Sequence, residues 1–301
     1  MSEIRFDDRV IIVTGAGSGL GKSHVLEFAK RGGKVVVNDL GGAVDGTGSN
    51  AAAADLVVTE IEASGGTAVA NYDSVSTPEG GEAIVECAMD NFGRVDVVVN
   101  NAGILRDRSI VKMSQEEWDA VLDVHLRGAF CVSRPAFRVM KENNYGRFVF
   151  TASAAGVFGN FGQSNYGAAK MGLVGLSNVV SQEGVKNNIK SNVIAPIALT
   201  RMTTGIMDNL GLQLDPEYVT SMVVYLASEE CEQTHEIYSV GAGRYARVFV
   251  GLCPGWADTA SEHVSAEGVR DNLDQIRDPS NYSIPANAAE EMVEAMKLIK
   301  G

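Results

Sequence analysis

Cysteine is sparse and badly spaced for chemistry: Cys87, Cys131, Cys231 and Cys253 form no C-x-x-C pair. The four histidines are scattered as well, so neither a zinc site nor a disulfide framework is expected, and no metal is predicted. Buried thiols in a reducing compartment fit this usage. No apolar run approaches the roughly 18 residues a membrane-crossing helix needs. The opening MSEIRFDD is acidic where a secretory leader is basic and has no apolar core, so a soluble, unexported protein is expected. Positive charge is also short: a net charge of -13 argues against nucleic acid or an anionic membrane as partner. Internal repeats and Pro/Ser-rich linkers are missing too.

What is present is a regular alternation. With 301 residues and 45% hydrophobic content, the chain has enough for one large α/β domain or two small ones. RVIIVTG (9–15), KVVVND (34–39), TAVANY (67–72), VDVVVNN (95–101), GRFVFTAS (146–153) and IKSNVIAP (189–196) read as strands, with a seventh in HEIYSVGAG (235–243). Their nearly continuous apolar character suits parallel strands covered on both faces. Helical patterns fall near 20–32, 51–64, 78–92, 115–143 and 164–187. The pattern predicts a Rossmann-type, doubly wound, seven-stranded parallel sheet with helices on both faces. GGAVDGTGSN (41–50) reads as a flexible insertion after the second strand. Residues 1–250 are expected to form the main domain, and 251–301 a helical extension of it, a loop plus two helices.

TGAGSGLG (14–21) directly follows the first strand and opens a helix. Gly15, Gly19 and Gly21 allow backbone to approach a pyrophosphate, whose charge the helix N-terminus meets. A tight turn alone also explains such glycines, but the strand–turn–helix context favours the phosphate reading. VVVND ends at Asp39, where a carboxylate would take both hydroxyls of an adenosine ribose; a plain turn residue is the alternative. A carboxylate there repels a 2′-phosphate, and Ser18 offers no cation to receive one. NAD is therefore expected rather than NADP.

In NYGAAKMGLVG (165–175), Tyr166 and Lys170 stand four apart on a helix of small residues, so they share a face. An ammonium beside a phenol stabilises the phenolate, which is one way to make tyrosine a general base. Such a pair is common by chance. Its company is not: Ser153 lies thirteen residues before Tyr166, and NNAG (100–103) ends the fourth strand. Each element emerges at the carboxyl ends of parallel strands, where such sheets bind ligands.

TGxxxGxG, NNAG and Ser-x12-Tyr-x3-Lys, in that order, resemble the short-chain dehydrogenase/reductase family over roughly residues 7–243. The resemblance implies that Tyr166 is the acid/base, that Ser153 hydrogen-bonds the substrate oxygen, and that Lys170 binds the nicotinamide ribose while tuning Tyr166. It implies that Asp73 contacts adenine, and it extends the cofactor contacts to Ser18, Leu20, Ser74, Val75, Asn100, Asn101, Ala102 and Gly103. Ala198 and Thr200 join them, although Pro196-Ile197 replaces the usual Pro-Gly. His125, in DVHLRGAF, stands where asparagine is usual in the family; it is carried as a site member, with a buried packing histidine as the alternative.

A narrower resemblance runs through NDLGG, VANYDSV, VVVNNAGILRDRS, VHLRG, FGNFGQSNY and SVGAG. These look like the dehydrogenase units of peroxisomal multifunctional enzymes, which oxidise (3R)-hydroxyacyl-CoA with NAD and share the histidine of VHLRG. An acyl-CoA or steroid-like small molecule is the expected substrate, and the protein is expected to be cytoplasmic, or peroxisomal if the chain belongs to a larger enzyme. Residues 94–147 hold nine Lys/Arg against seven acids, a local excess compatible with CoA phosphates, although ordinary solvated helix faces explain it equally. Other secondary-alcohol dehydrogenases, a 3-oxoacyl-carrier-protein reductase and a non-catalytic NAD-sensing module are the competing readings. The helices at 115–143 and 164–187 carry more apolar residues than one sheet face covers, and the second has Gly167, Ala168, Ala169, Gly172 and Gly175. In the resembled family these helices pair across a two-fold axis, so a homodimer is expected; burial under the chain's own C-terminal helices is the alternative.

Overall fold

A computed structural model describes residues 2–198, 214–259 and 264–300. The chain divides into two compact units, Met1–Arg247 and Val248–Gly301. In the first, β1 (Val10–Thr14), α1 (Gly19–Lys30), β2 (Lys34–Asn38), α2 (Ala52–Ala63), β3 (Thr67–Asn71), α3 (Pro78–Phe92) and β4 (Val97–Asn100) alternate as expected. Then come α4 (Gln115–Leu122), a π-helical turn at Asp123–Arg127, α5 (Gly128–Asn143), β5 (Gly146–Thr151) and α6 (Ala154–Phe158). The unit is completed by α7 (Ser164–Gly184), β6 (Ile189–Pro196), α8 (Pro216–Ala227), β7 (Ile237–Gly241) and β8 (Arg244–Val248).

The strands form one sheet in the order β3-β2-β1-β4-β5-β6-β7-β8. β1 through β7 pair in parallel, with Val13 opposite Val37 on one side and Val99 on the other. Every residue of β1, β4 and β5 is buried, which is why these strands read as unbroken apolar runs. β8 was not anticipated. Ala242 and Gly243 both have positive φ, 51° and 74°, and join it to β7 as a two-residue turn. Two positive φ values in succession make the hairpin turn that matches strand twist, so the eighth strand runs antiparallel.

The single helix expected over 115–143 is interrupted. α4 starts from a capping box, Ser114 with Glu117. The π turn then inserts an extra residue before α5, a feature frequent at functional sites and invisible to helical periodicity. α6 and α8 also escaped the sequence reading, the first because five residues carry too little periodicity. The insertion 41–50 is tied down. Gly41 N–H donates to Asp39 Oδ1 (2.6 Å), Leu105 N–H to Val44 O (2.9 Å) and Arg106 Nε to Asp45 O (2.9 Å). It therefore runs from the end of β2 to the segment after β4, crossing the end of β1.

Among its described residues the second unit holds α9 (Ala266–Asp271), α10 (Leu273–Ile276) and α11 (Ala288–Lys300), one helix more than the sequence suggests. Among the described residues no helix is long and apolar enough to cross a membrane, and no group of His, Cys, Asp and Glu has the makings of a metal site. Cys131 and Cys231 are buried, Cys87 and Cys253 half-buried, and all four are free thiols.

Candidate active site

The chain leaves β1 toward β2 on one side and later enters β4 on the other, so the strand order reverses beside β1. Sheets of this order bind ligands at the carboxyl ends beside such a reversal. Thr14 closes β1, and its Oγ1 accepts the N–H groups of Asn101 and Ala102, both at 3.0 Å. Asn101 answers with Nδ2 to the carbonyls of Thr14 (3.0 Å) and Gly15 (3.1 Å). Asn101 and Ala102 thus clamp the glycine loop to the end of β4.

A cradle without side chains lies in that loop. Gly15 has φ +65°, and a Cβ on it would stand 2.8 Å from the Ala102 Cα. A Cβ on Gly21 would stand 2.2 Å from the Gly15 carbonyl oxygen. Gly19 begins α1 with positive φ and Ser18 is its N-cap, with the hydroxyl not engaged in capping. Leu20 packs on the core instead. Asp39 joins the loop from β2, accepting the Gly17 N–H at 2.7 Å. A Cβ at Gly17 would lie 2.8 Å from Asp39 Oδ2, so this glycine, absent from the expected set, keeps the carboxylate accessible.

Further along the edge, Asp73 is exposed and accepts Asn71 Nδ2 at 2.8 Å. Ser74 Oγ accepts the Ser76 N–H, and Val75 is buried against Gly128. Asn100 is buried, donating to Ser133 Oγ (2.9 Å) and leaving its Oδ1 without a protein partner. Ala198 packs in the core. Thr200 lies outside the described residues. The bare cradle, the carboxylate beside it and the orphan Oδ1 fit a dinucleotide cofactor.

The second group forms around the end of β5. Ser153 is the N-cap of α6, its Oγ accepting the Ala155 N–H at 3.2 Å, and its side chain lies near enough to the Tyr166 phenol to favour the phenolate. Lys170, buried, donates from Nζ to the Thr151 carbonyl at 2.5 Å, and Nζ lies 5.4 Å from the Tyr166 ring centroid. The three side chains are therefore together. Their electrostatics differ from the expectation, because in the free protein burial dominates at both groups. Tyr166 is pushed up to about 12 by burial, opposed by the nearby Ser153 hydroxyl and reinforced by the charge of Asp107. Burial likewise lowers Lys170 to about 7.

His125 occupies the π turn and is buried. Its Nε2 sits 3.0 Å from the Ile104 nitrogen and 2.8 Å from the Ile104 oxygen, and its Nδ1 has no protein partner. Burial, followed by the nearby Lys170 charge, holds it well below the ordinary histidine value. A Cβ on Gly103 would fall 2.3 Å from His125 Cε1, so the glycine of NNAG makes room for this ring. Asn165 and Thr151 escaped the sequence reading. Asn165 stood in view beside Tyr166, whereas nothing in a sequence marks the carbonyl of Thr151.

The basic excess in 94–147 is mostly paired. Arg94 bonds Asp96, Arg108 bonds Glu117, Arg127 bonds Asp123, Arg138 bonds Glu82, and Arg147 is buried on backbone carbonyls.

Residues 9–211 match the family model described as short chain dehydrogenase. Over 290 residues the chain is 51% identical to peroxisomal multifunctional enzyme A of Dictyostelium discoideum, covering 96% of this chain and 64% of that one. Over 242 residues it is 56% identical to a short-chain type dehydrogenase/reductase of Mycobacterium tuberculosis, covering 80% of this chain and 85% of the relative. Among solved structures, full-length peroxisomal multifunctional enzyme type 2 from Drosophila melanogaster matches with a TM-score of 0.83 at 40% identity. That match covers 99% of this chain and 50% of the other. The chain spans no more than 64% of the two multifunctional relatives named here. A family model running from β1 past β6, with a relative of similar length more than half identical to it, makes this chain an oxidoreductase of the short-chain dehydrogenase family.

Proposed function

We propose that the protein oxidises a secondary alcohol with NAD, the substrate being a (3R)-hydroxyacyl-CoA and the product the 3-ketoacyl-CoA. The observation that carries this reading is the convergence of Ser153, Tyr166 and Lys170 around the end of β5, two strands from the glycine cradle. NAD, when bound, supplies the acceptor for the carbinol hydride. Ser153 hydrogen-bonds the alcohol oxygen and Tyr166, as phenolate, takes its proton, while the O–H electron pair becomes the second bond of the ketone. Tyr166 is neutral in the free protein, so the base form requires positive charge close by. Lys170, when protonated, is the side chain that provides it and would also hold the nicotinamide ribose.

Asp39 supports NAD over NADP, because a 2′-phosphate would bring further negative charge against a carboxylate already fixed by two backbone amides. The acyl-CoA assignment rests on similarity to multifunctional peroxisomal enzymes over nearly the whole chain, which also supports a peroxisomal setting. A homodimer is part of the reading. Ala168, Met171, Gly175 and Val179 form one exposed stripe of small and apolar residues along α7, and Phe130 is exposed on α5.

The test is reduction of NAD and NADP against a panel of (3R)- and (3S)-hydroxyacyl-CoA, steroids and simple secondary alcohols. Preference for a steroid or simple alcohol would replace the acyl-CoA assignment, and preference for NADP would remove the reading of Asp39. Light scattering at low concentration tests assembly: an active monomer of 31.9 kDa rules the dimer out.

A further inference from the structure

Asn165 is completely buried at the start of α7, one residue before Tyr166. Its Nδ2 donates to two carbonyls from different parts of the fold, Arg106 O and Glu117 O, both at 3.0 Å. Its Oδ1 accepts the Tyr166 N–H at 2.7 Å. That N–H is among the unpaired donors of a helix's first turn, and Gln163, the N-cap, makes no side-chain capping bond. One amide therefore caps the helix at Tyr166 and fastens it to the segment after β4 and to α4. Both amide hydrogens are used, which a carboxylate or hydroxyl of similar size cannot reproduce.

The position of Arg106 gives the clamp its significance. Its carbonyl receives Asn165, while its side chain donates to Asp45 of the 41–50 insertion. Hydrogen bonds and the chain between them join Asp39, beside the glycine cradle, through Gly41 and the insertion to Arg106, Asn165 and the backbone of Tyr166.

We infer that Asn165 is a positioning residue that sets the Tyr166 phenol against Ser153 by pinning the first turn of α7 to the Arg106 and Glu117 carbonyls. Being completely buried, it would act through Tyr166 rather than on a ligand. The inference rests on the proposed role of Tyr166 as acid/base, so Tyr166→Phe is run beside it: an active phenylalanine variant would indict that role, whatever Asn165 does.

The experiment uses Asn165→Ala and Asn165→Ser in the full chain. Serine retains a group able to cap Tyr166 but cannot bridge two carbonyls. Both variants should fold, bind NADH within about twofold of the parent, keep KM for the alcohol nearly unchanged and lose kcat about tenfold or more. Moving the phenol away from Ser153 weakens an influence that favours the phenolate, so the acid limb of the kcat/KM profile should move to higher pH. A folded serine variant with kcat within twofold of the parent overturns the inference. So does a lower kcat with an unmoved acid limb, a parallel loss of NADH affinity, or failure of both variants to fold, since each marks a merely structural residue.

Discussion

The rings of His125 and Tyr166 meet edge to face, with centroids 5.2 Å apart and planes at 88°. Such contacts fix ring orientation because the positive edge of one ring meets the negative face of the other. His125 is itself held by the Ile104 backbone and by the space above Gly103. A protonated imidazole would sit buried close to the Lys170 charge, which is why its proton affinity is depressed.

His125 should therefore stay neutral through the physiological range. In the free protein, imidazole NMR shifts assigned to His125 are expected to remain flat between about pH 5 and 8, a range that contains the unperturbed histidine value. A titration centred near the ordinary value would show that the ring is reached by water.

Tyr166→Phe removes the proposed base but leaves the glycine cradle untouched. Turnover should fall by about three orders of magnitude or more, the upper part of general acid–base contributions being about 10⁴-fold. NADH binding, followed by fluorescence, should change little. Lys170→Ala should lower both, through loss of the proposed ribose contact and of the bond to Thr151.

Exchanging Asp39 for alanine together with a nearby arginine should shift preference toward NADP by removing repulsion and adding a cation. Affinity for NAD should fall as well, because Asp39 also binds the Gly17 and Gly41 amides. Ratios of kcat/KM for the two cofactors check this; an unchanged ratio would falsify the selector role.

His24 yields a prediction about stability. It is fully buried between α1 and α8, with Nδ1 2.7 Å from Thr220 Oγ1, and burial lowers it to about 3. The unfolded chain takes up this proton near pH 6.5, the folded chain only near 3. The contribution is therefore fully present above about 6.5 and is lost as pH falls toward 3. The difference corresponds to about 5 kcal/mol at most. Denaturation midpoints of His24→Asn should fall less steeply over this interval than those of the parent.

The sequence exposed most of the fold because buried parallel strands must be apolar throughout, and VIIVT, KVVVN and VVVN have little else to be. It exposed the candidate site as far as side chains would carry the proposed chemistry: Tyr166, Lys170, Ser153 and Asp39 are reactive types at telling spacings. Backbone roles stayed hidden. The Thr151 carbonyl holding Lys170, and the Arg106 and Glu117 carbonyls holding Asn165, have no residue-type signature. The π turn is likewise a matter of hydrogen-bond pattern, and the burial that opposes ionisation of both Tyr166 and Lys170 depends on neighbours distant in the chain.

The hairpin that adds β8 also decides how the molecule behaves in a crowd. Without it, β7 would present a row of unpaired amides and carbonyls to any passing strand, the template from which edge-to-edge aggregates grow. β8 instead forms a five-residue border, with Arg244 reaching Ser239 and Arg247 reaching Glu236. Short length and two arginines make a poor docking rail, so at this border the sheet stops where the chain stops it.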